Sequence, residues 1–118
     1  MNKEQHESYI RKLVANARAI ISYQVGLPLG CIKMSGILTW LSRYEKLDYP
    51  IFRDYLRETL GLPLGTERLR WNRESLREYD ERLVAINLAY REQIIDTCFE
   101  IIEKYKTAKT ATYEEEKQ

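Results

Sequence analysis

Four carboxylates near the end of the sequence have a spacing that could serve metal chemistry. They recur at intervals of four, four and three residues, which places them on one face of a helix: Glu92, Asp96, Glu100 and Glu103. Carboxylates on facing helices hold di-iron and di-manganese centres, but those sites also use Glu-x-x-His pairs. The single histidine, His6, lies at the opposite end of the sequence. We therefore expect a solvated or ion-paired stripe, and a metal-dependent enzyme that uses these carboxylates is the alternative.

A cluster of arginines around one tryptophan is the second candidate site. Its residues are Arg68, Arg70, Trp71, Arg73 and Arg77. Trp and Arg are enriched among the residues that dominate protein interfaces, and both can also stack on the bases of single-stranded nucleic acid. Interleaved glutamates neutralise much of the charge, which argues against nucleic acid: Glu67, Glu74, Glu78 and Glu81. The composition predicts a surface that binds a protein partner, and burial of Trp71 against the preceding loop is the alternative.

The two cysteines add no catalytic or metal-binding set. Cys31 and Cys98 lack CxxC spacing and have no histidine near them in the sequence. No serine or tyrosine has a base close to it in the sequence, so no activated nucleophile is indicated. We expect two buried, reduced thiols, and we predict no catalytic residue, no metal ligand and no cofactor.

Composition and charge are those of a globular protein with one domain. The chain has 118 residues, of which 44% are hydrophobic and 31% are charged, and its net charge is +1. It shows neither a secretory signal nor a membrane-spanning run, which predicts a cytoplasmic protein that does not bind membranes. Between Glu7 and Glu45 all charged residues are basic. Nucleic-acid binding through this acid-free segment is therefore a further alternative.

Apolar residues recur every three or four positions in four segments, which is the pattern of amphipathic helices. The first helix is predicted to end at Val25. Gly36 lies inside the second and indicates a close helix crossing, because glycine weakens a helix by about 1 kcal/mol relative to alanine. The third is predicted to start at Pro50, with Asp48 as its cap.

The last periodic segment is the longest. It contains neither glycine nor proline from Asn72, a plausible N-cap, to Lys106. The predicted fold class is all-α: a single-domain, irregular antiparallel bundle of about four helices over residues 1–106, with a disordered tail at 107–118. Because the last helix would be about 50 Å long, the rest of one chain could not cover it. We therefore predict a homodimer.

The pentapeptide GLPLG occurs twice, at Gly26–Gly30 and Gly61–Gly65. Each copy follows a predicted helix, and glycine readily takes the left-handed conformation that ends helices. A phosphate-binding loop would instead continue into Gly-Lys-Ser/Thr, which neither copy does. The prediction is that Gly26 and Gly61 both end the helix before them.

Three stretches together carry a family resemblance: "ARAIISYQVGLPLG", "LPLGTERLRW" and "CFEIIEKY". They resemble a family of small bacterial helical proteins classed as a domain of unknown function, over most of residues 10–105. The resemblance implies a bacterial, cytoplasmic, helical protein and brings no catalytic residues with it.

The absent catalytic set, the small size and the Arg–Trp cluster together favour a non-enzymatic protein-interaction module. An antitoxin-like or immunity-like protein, which binds and blocks a bacterial protein partner, would fit these features. The metal-dependent enzyme and the nucleic-acid-binding protein remain the alternatives from other functional classes.

Overall fold

The structure, a computed structural model, describes residues 3–64 and 66–106 in full and only the backbone of residues 107–117. Its α-helices are α1 (Lys3–Ile21), α2 (Leu27–Leu41), α3 (Pro50–Glu58) and α4 (Arg73–Lys117), and a short 3₁₀ helix spans Thr66–Arg70. No strand occurs within these residues, which confirms the all-α prediction. The tail predicted to be disordered, 107–118, lies outside the residues described in full, so that prediction stays open.

Neighbouring helices run antiparallel, as predicted. His6 near the start of α1 meets Glu45 just beyond the end of α2, at 3.1 Å between Nε2 and Oε1. At the other end of the pair, Gly30 in the first turn of α2 lies against Ile20 in the last turn of α1. Helix α4 packs against both α1 and α3, which closes the bundle. Each helix therefore packs against two others around one core.

The core is built from the helical stripes that the sequence pattern indicates. Its fully buried members include Leu13, Met34, Phe52 and Ile101, one from each helix. In α4, however, burial begins only at Ile94, and none of residues 73–93 is buried. Ile86 and Tyr90 are only partly buried but already pack against the core, so the part of the helix that projects beyond it is its start.

The two copies of GLPLG have different structural roles. Gly61 takes the predicted left-handed conformation, with a φ of +87°. Helix α3 already ends at Glu58, with Thr59 as its C-cap, so Gly61 lies three residues beyond the last helical residue and does not itself end the helix. The prediction for Gly26 is wrong, because its φ of −72° is an ordinary extended value and it caps the start of α2. Helix α1 ends at Ile21, and Tyr23 takes the left-handed conformation instead, at φ 62°. The proline near the start of α2 explains why a helix begins after Gly26 and does not end there, since the N–H that proline lacks is not needed in the first turn of a helix.

Local capping signals are confirmed in two of three cases. Helix α3 begins at Pro50, but no side chain caps it, so the capping role predicted for Asp48 is wrong. The Asn72 side chain accepts a hydrogen bond from the backbone N–H of Ser75, at 2.8 Å, and so caps α4 as predicted.

The sequence pattern predicted a close helix crossing at Gly36. The helices approach each other closely at Gly30 instead. A Cβ atom added to Gly36 would meet nothing within 4 Å, whereas one added to Gly30 would lie 2.6 Å from Cγ1 of Ile20. The Asn16 side chain also donates a hydrogen bond to the Gly30 carbonyl, at 2.9 Å. Both contacts need the α1 and α2 backbones to lie close together.

Substituting alanine at each of these glycines should distinguish the effect of packing on the stability of the protein from the effect of helix propensity. Both substitutions gain about 1 kcal/mol of helix propensity, so Gly36→Ala should stabilise the protein by about that amount. Gly30→Ala adds an overpacking cost of about 1–3 kcal/mol and should be the less stable variant by that difference. Urea unfolding of the two variants measures it, and equal stabilities would show that Gly30 does not hold the helices together.

Candidate interaction surfaces

The 3₁₀ helix is held against the start of α4 by two side-chain contacts. The guanidinium of Arg68 donates two hydrogen bonds to the carboxylate of Asp80, at 2.7 and 2.9 Å. Trp71 packs edge-to-face on Tyr79, with the ring centroids 4.8 Å apart. Because bidentate Arg–carboxylate pairs constrain geometry strongly, these contacts set the position of the 3₁₀ helix.

Arg68, one of the predicted partner-binding residues, is therefore engaged within the chain. Its hydrogen bonds lower the pKa of the Asp80 carboxyl below the ordinary value. The same guanidinium donates a hydrogen bond to the carbonyl of Pro63, at 3.1 Å. Arg68 can position the neighbouring side chains, while the ion pair between Arg68 and Asp80 remains partly open to solvent.

The other predicted residues lie around this support. Arg73 and Arg77 line a shallow hollow of about 570 Å³ together with the apolar side chain of Val84. Trp71 remains 36% exposed and Leu69 is 87% exposed. Four of the predicted residues are solvent-accessible: Arg70, Trp71, Arg73 and Arg77. We call these four residues, together with Arg68, the Arg–Trp surface. The alternative of a Trp71 buried against the preceding loop is wrong, because its ring contacts α4.

A groove between α1 and α2 was not predicted. We call it the α1–α2 groove; its volume is about 770 Å³, and it is open to solvent rather than enclosed. Short side chains, those of Ala15 and Ala19, line the α1 side, and Lys12 and Lys33 contribute positive charge. The acid-free segment was the only signal of it in the sequence, because the facing of α1 and α2 is a tertiary feature.

Stacked aromatic rings form one end of this groove. Tyr9 of α1 and Trp40 of α2 lie nearly parallel, with centroids 5.5 Å apart. Lys12 lies over the Tyr9 ring at 4.8 Å, and Arg43 lies over the Trp40 ring at 4.9 Å. These cation–π contacts hold positive charge beside an apolar wall.

The carboxylates that suggested a metal site are all exposed: Glu92, Asp96, Glu100 and Glu103. Among the residues described in full, no three His, Cys, Asp or Glu side chains come together in a way that could hold a metal ion. Phe99 lies among these carboxylates and is 55% exposed. This part of α4 is therefore an acidic surface with an apolar side chain at its centre.

Both cysteines are free and buried, as predicted. Burial raises the pKa of each thiol to about 12, and the charge of Cys98 adds to the effect at Cys31. Because the thiolate is the reactive form, these side chains pack the core and are poor nucleophiles at neutral pH.

Comparisons with protein-family models, curated proteins and solved structures find no match to this chain. The resemblance to a bacterial family of unknown function therefore stays a prediction. Within the described residues, no helix combines the length and apolarity that crossing a membrane requires.

Proposed function

We propose that this protein is a non-enzymatic interaction module that binds a protein partner through the Arg–Trp surface, as a cytoplasmic antitoxin-like or immunity-like protein would. The observation that carries the proposal is the fixed presentation of exposed apolar and arginine side chains on the 3₁₀ helix, on Trp71 after it and on the start of α4. The contacts of Arg68 with Asp80 and of Trp71 with Tyr79 set this geometry before any partner binds. Such preorganisation lowers the entropy cost of association.

The composition of the surface supports a protein partner over the alternatives. Exposed Trp71 and Leu69 supply apolar area, and neighbouring arginines supply donors, which is the mixture found where interface energy concentrates. Among the described residues of α4, no hydrophobic side chain before Ile86 packs against the core, so the first three turns of the helix are available for contact. Asp80 offsets the charge of Arg68, and Glu74, Glu78 and Glu81 are interleaved with the other arginines in the sequence. The surface therefore lacks the concentrated positive charge typical of nucleic-acid binding.

Capture of a partner from nuclease-treated lysate of the native host tests the proposal. We expect one stoichiometric protein partner, and we expect Trp71→Ala to weaken its binding by about 2 kcal/mol or more, roughly thirtyfold. Arg70→Glu should also weaken it, because the substitution reverses a charge at the surface. Titration of the purified partner measures both effects.

Trp40→Ala is the matched control, because Trp40 is also exposed but lies at the far end of the α1–α2 groove. It should bind the partner as the unmodified protein does. Recovery of the bait alone, or equal losses with Trp40→Ala and Trp71→Ala, would contradict binding through the Arg–Trp surface.

A further inference from the structure

Two surfaces of this chain that the proposed function does not use have complementary chemistry. The α1–α2 groove is apolar and basic. The exposed face of α4 around Phe99 is apolar and acidic, and we call it the acidic face; its charged members are Glu92, Asp96, Glu100 and Glu103. Within the described residues, both surfaces are open to solvent.

The charge of the groove is of one sign. Lys12 and Lys33 are exposed along it, and no carboxylate lies among its lining residues. The sequence explains this directly, since no acidic residue occurs between Glu7 and Glu45. An acidic occupant would be attracted along the whole groove, and a basic one would be repelled.

The shape of the groove suits a helix better than a small molecule. Small-molecule sites enclose most of their ligand, whereas this groove is open along the two helices. The side of the groove formed by α1, from Tyr9 to Ala19, is about 15 Å long at 1.5 Å per residue, which is roughly three helical turns. At Gly36 an added Cβ would meet nothing within 4 Å, so the site has room for a large side chain.

The acidic face of α4 has the dimensions and composition of such an occupant. From Glu92 to Glu103 the helix rises about 16 Å, which matches the groove. Phe99 is 55% exposed near the middle of this span and offers an apolar anchor, as helices that bind in grooves do. Phe99 shares a surface hollow with three carboxylates and one lysine, those of Asp96, Glu100, Glu103 and Lys104, so the net charge beside the anchor is negative.

We propose that the α1–α2 groove of one copy of this chain binds the acidic face of α4 from a second copy. The contact joins two different surfaces, so each copy offers one groove and one acidic face. Contacts of this kind close into rings or extend as chains of subunits. The proposal is independent of partner binding at the Arg–Trp surface.

Light scattering of the purified full-length protein over micromolar to millimolar concentrations gives the first test. We expect an average mass that rises above that of one chain as concentration increases, and that falls towards it in 1 M salt because the attraction is screened. A mass of one chain throughout the range would overturn the proposal.

A charge exchange between the two surfaces identifies the contact. In Lys12→Glu/Lys33→Glu the groove becomes acidic, and in Asp96→Lys/Glu103→Lys the α4 face loses its net negative charge, because the two lysines offset Glu92 and Glu100. Each double variant alone should be monomeric, because the groove and the acidic face of the first variant repel each other and the attraction between them is lost in the second. An equimolar mixture should associate again, because the unaltered acidic face of the first variant can bind the unaltered groove of the second.

Restored association cannot come from misfolded variants, which keeps the test decisive. Arg73→Glu/Arg77→Glu is the matched control, because it reverses two charges on the Arg–Trp surface and should leave the mass of the assembly unchanged. Phe99→Ala should weaken association about tenfold or more without changing any charge. Double variants that associate like the unmodified protein, or a mixture that stays monomeric, would refute the contact.

Discussion

Raising the pH from 9 to 11 is expected to lower the free energy of unfolding by about 4–5 kcal/mol through two cysteine thiols alone, on the order of 1.4 kcal/mol per pH unit for each thiol. The cause is the burial of Cys31 and Cys98, which raises both thiol pKa values from 9.0 to about 12. Above pH 9 the unfolded chain loses two protons that the folded chain keeps. Stability contributed by the protonated thiols is therefore complete below pH 9 and is lost as the pH rises towards 12.

Two buried tyrosines reinforce this dependence. Burial raises the pKa of the Tyr55 and Tyr105 hydroxyls above their ordinary value of 10.0. Ionisation of the unfolded tyrosines above pH 10 therefore also favours unfolding. A loss of this size is comparable to the whole stability of many small domains, so cooperative alkaline unfolding near pH 11 is expected.

Urea unfolding at pH 8, 9, 10 and 11 measures the effect. Cys31→Ala leaves a cavity, so this variant should be less stable than the unmodified protein at every pH. The free energy of unfolding that it loses between pH 9 and 11 should nevertheless be smaller by about 2 kcal/mol, because one titrating thiol is gone. Reaction of the native protein with a thiol reagent at pH 8 should be about a thousandfold slower than that of the unfolded chain, as the pKa difference requires. Parallel pH curves for the two proteins would show that Cys31 is not the source.

Truncating a buried leucine and an exposed one should give very different results within the same fold. Leu13→Ala removes a side chain with no exposed surface and should cost about 2–5 kcal/mol, through lost burial and the cavity left behind. Leu88→Ala removes a side chain that is 75% exposed on α4, and its effect should stay within about 0.5 kcal/mol. Both changes convert leucine to alanine inside a helix, so helix propensity differs little between them.

Thermal or urea unfolding at low protein concentration provides the comparison. A low concentration is required because association would stabilise the folded chain by mass action. A cost of 2 kcal/mol or more for Leu88→Ala, found also at the lowest concentration, would mean that this part of α4 is packed within one chain.

Features governed by neighbouring residues along the chain were predictable from the sequence. Apolar spacing indicated four helices and the residues that fill the core, because a helix buries whichever face is apolar. Asn72 as a cap, Pro50 as a helix start and the left-handed conformation of Gly61 follow from backbone chemistry within a few residues. The residue types of the Arg–Trp surface were also evident, since composition alone distinguishes such a cluster.

Contacts between distant segments were decided only by the tertiary structure. Nothing in the spacing shows that Gly30 rather than Gly36 meets α1, because both lie in the same helix and only the packing against α1 distinguishes them. Likewise Arg68 could be assigned to a partner until the fold placed Asp80 within hydrogen-bonding distance. Helical periodicity shows which face of a helix is buried but not which helix it meets, and so the pairing of side chains, the α1–α2 groove and its relation to the acidic face of α4 required the assembled bundle.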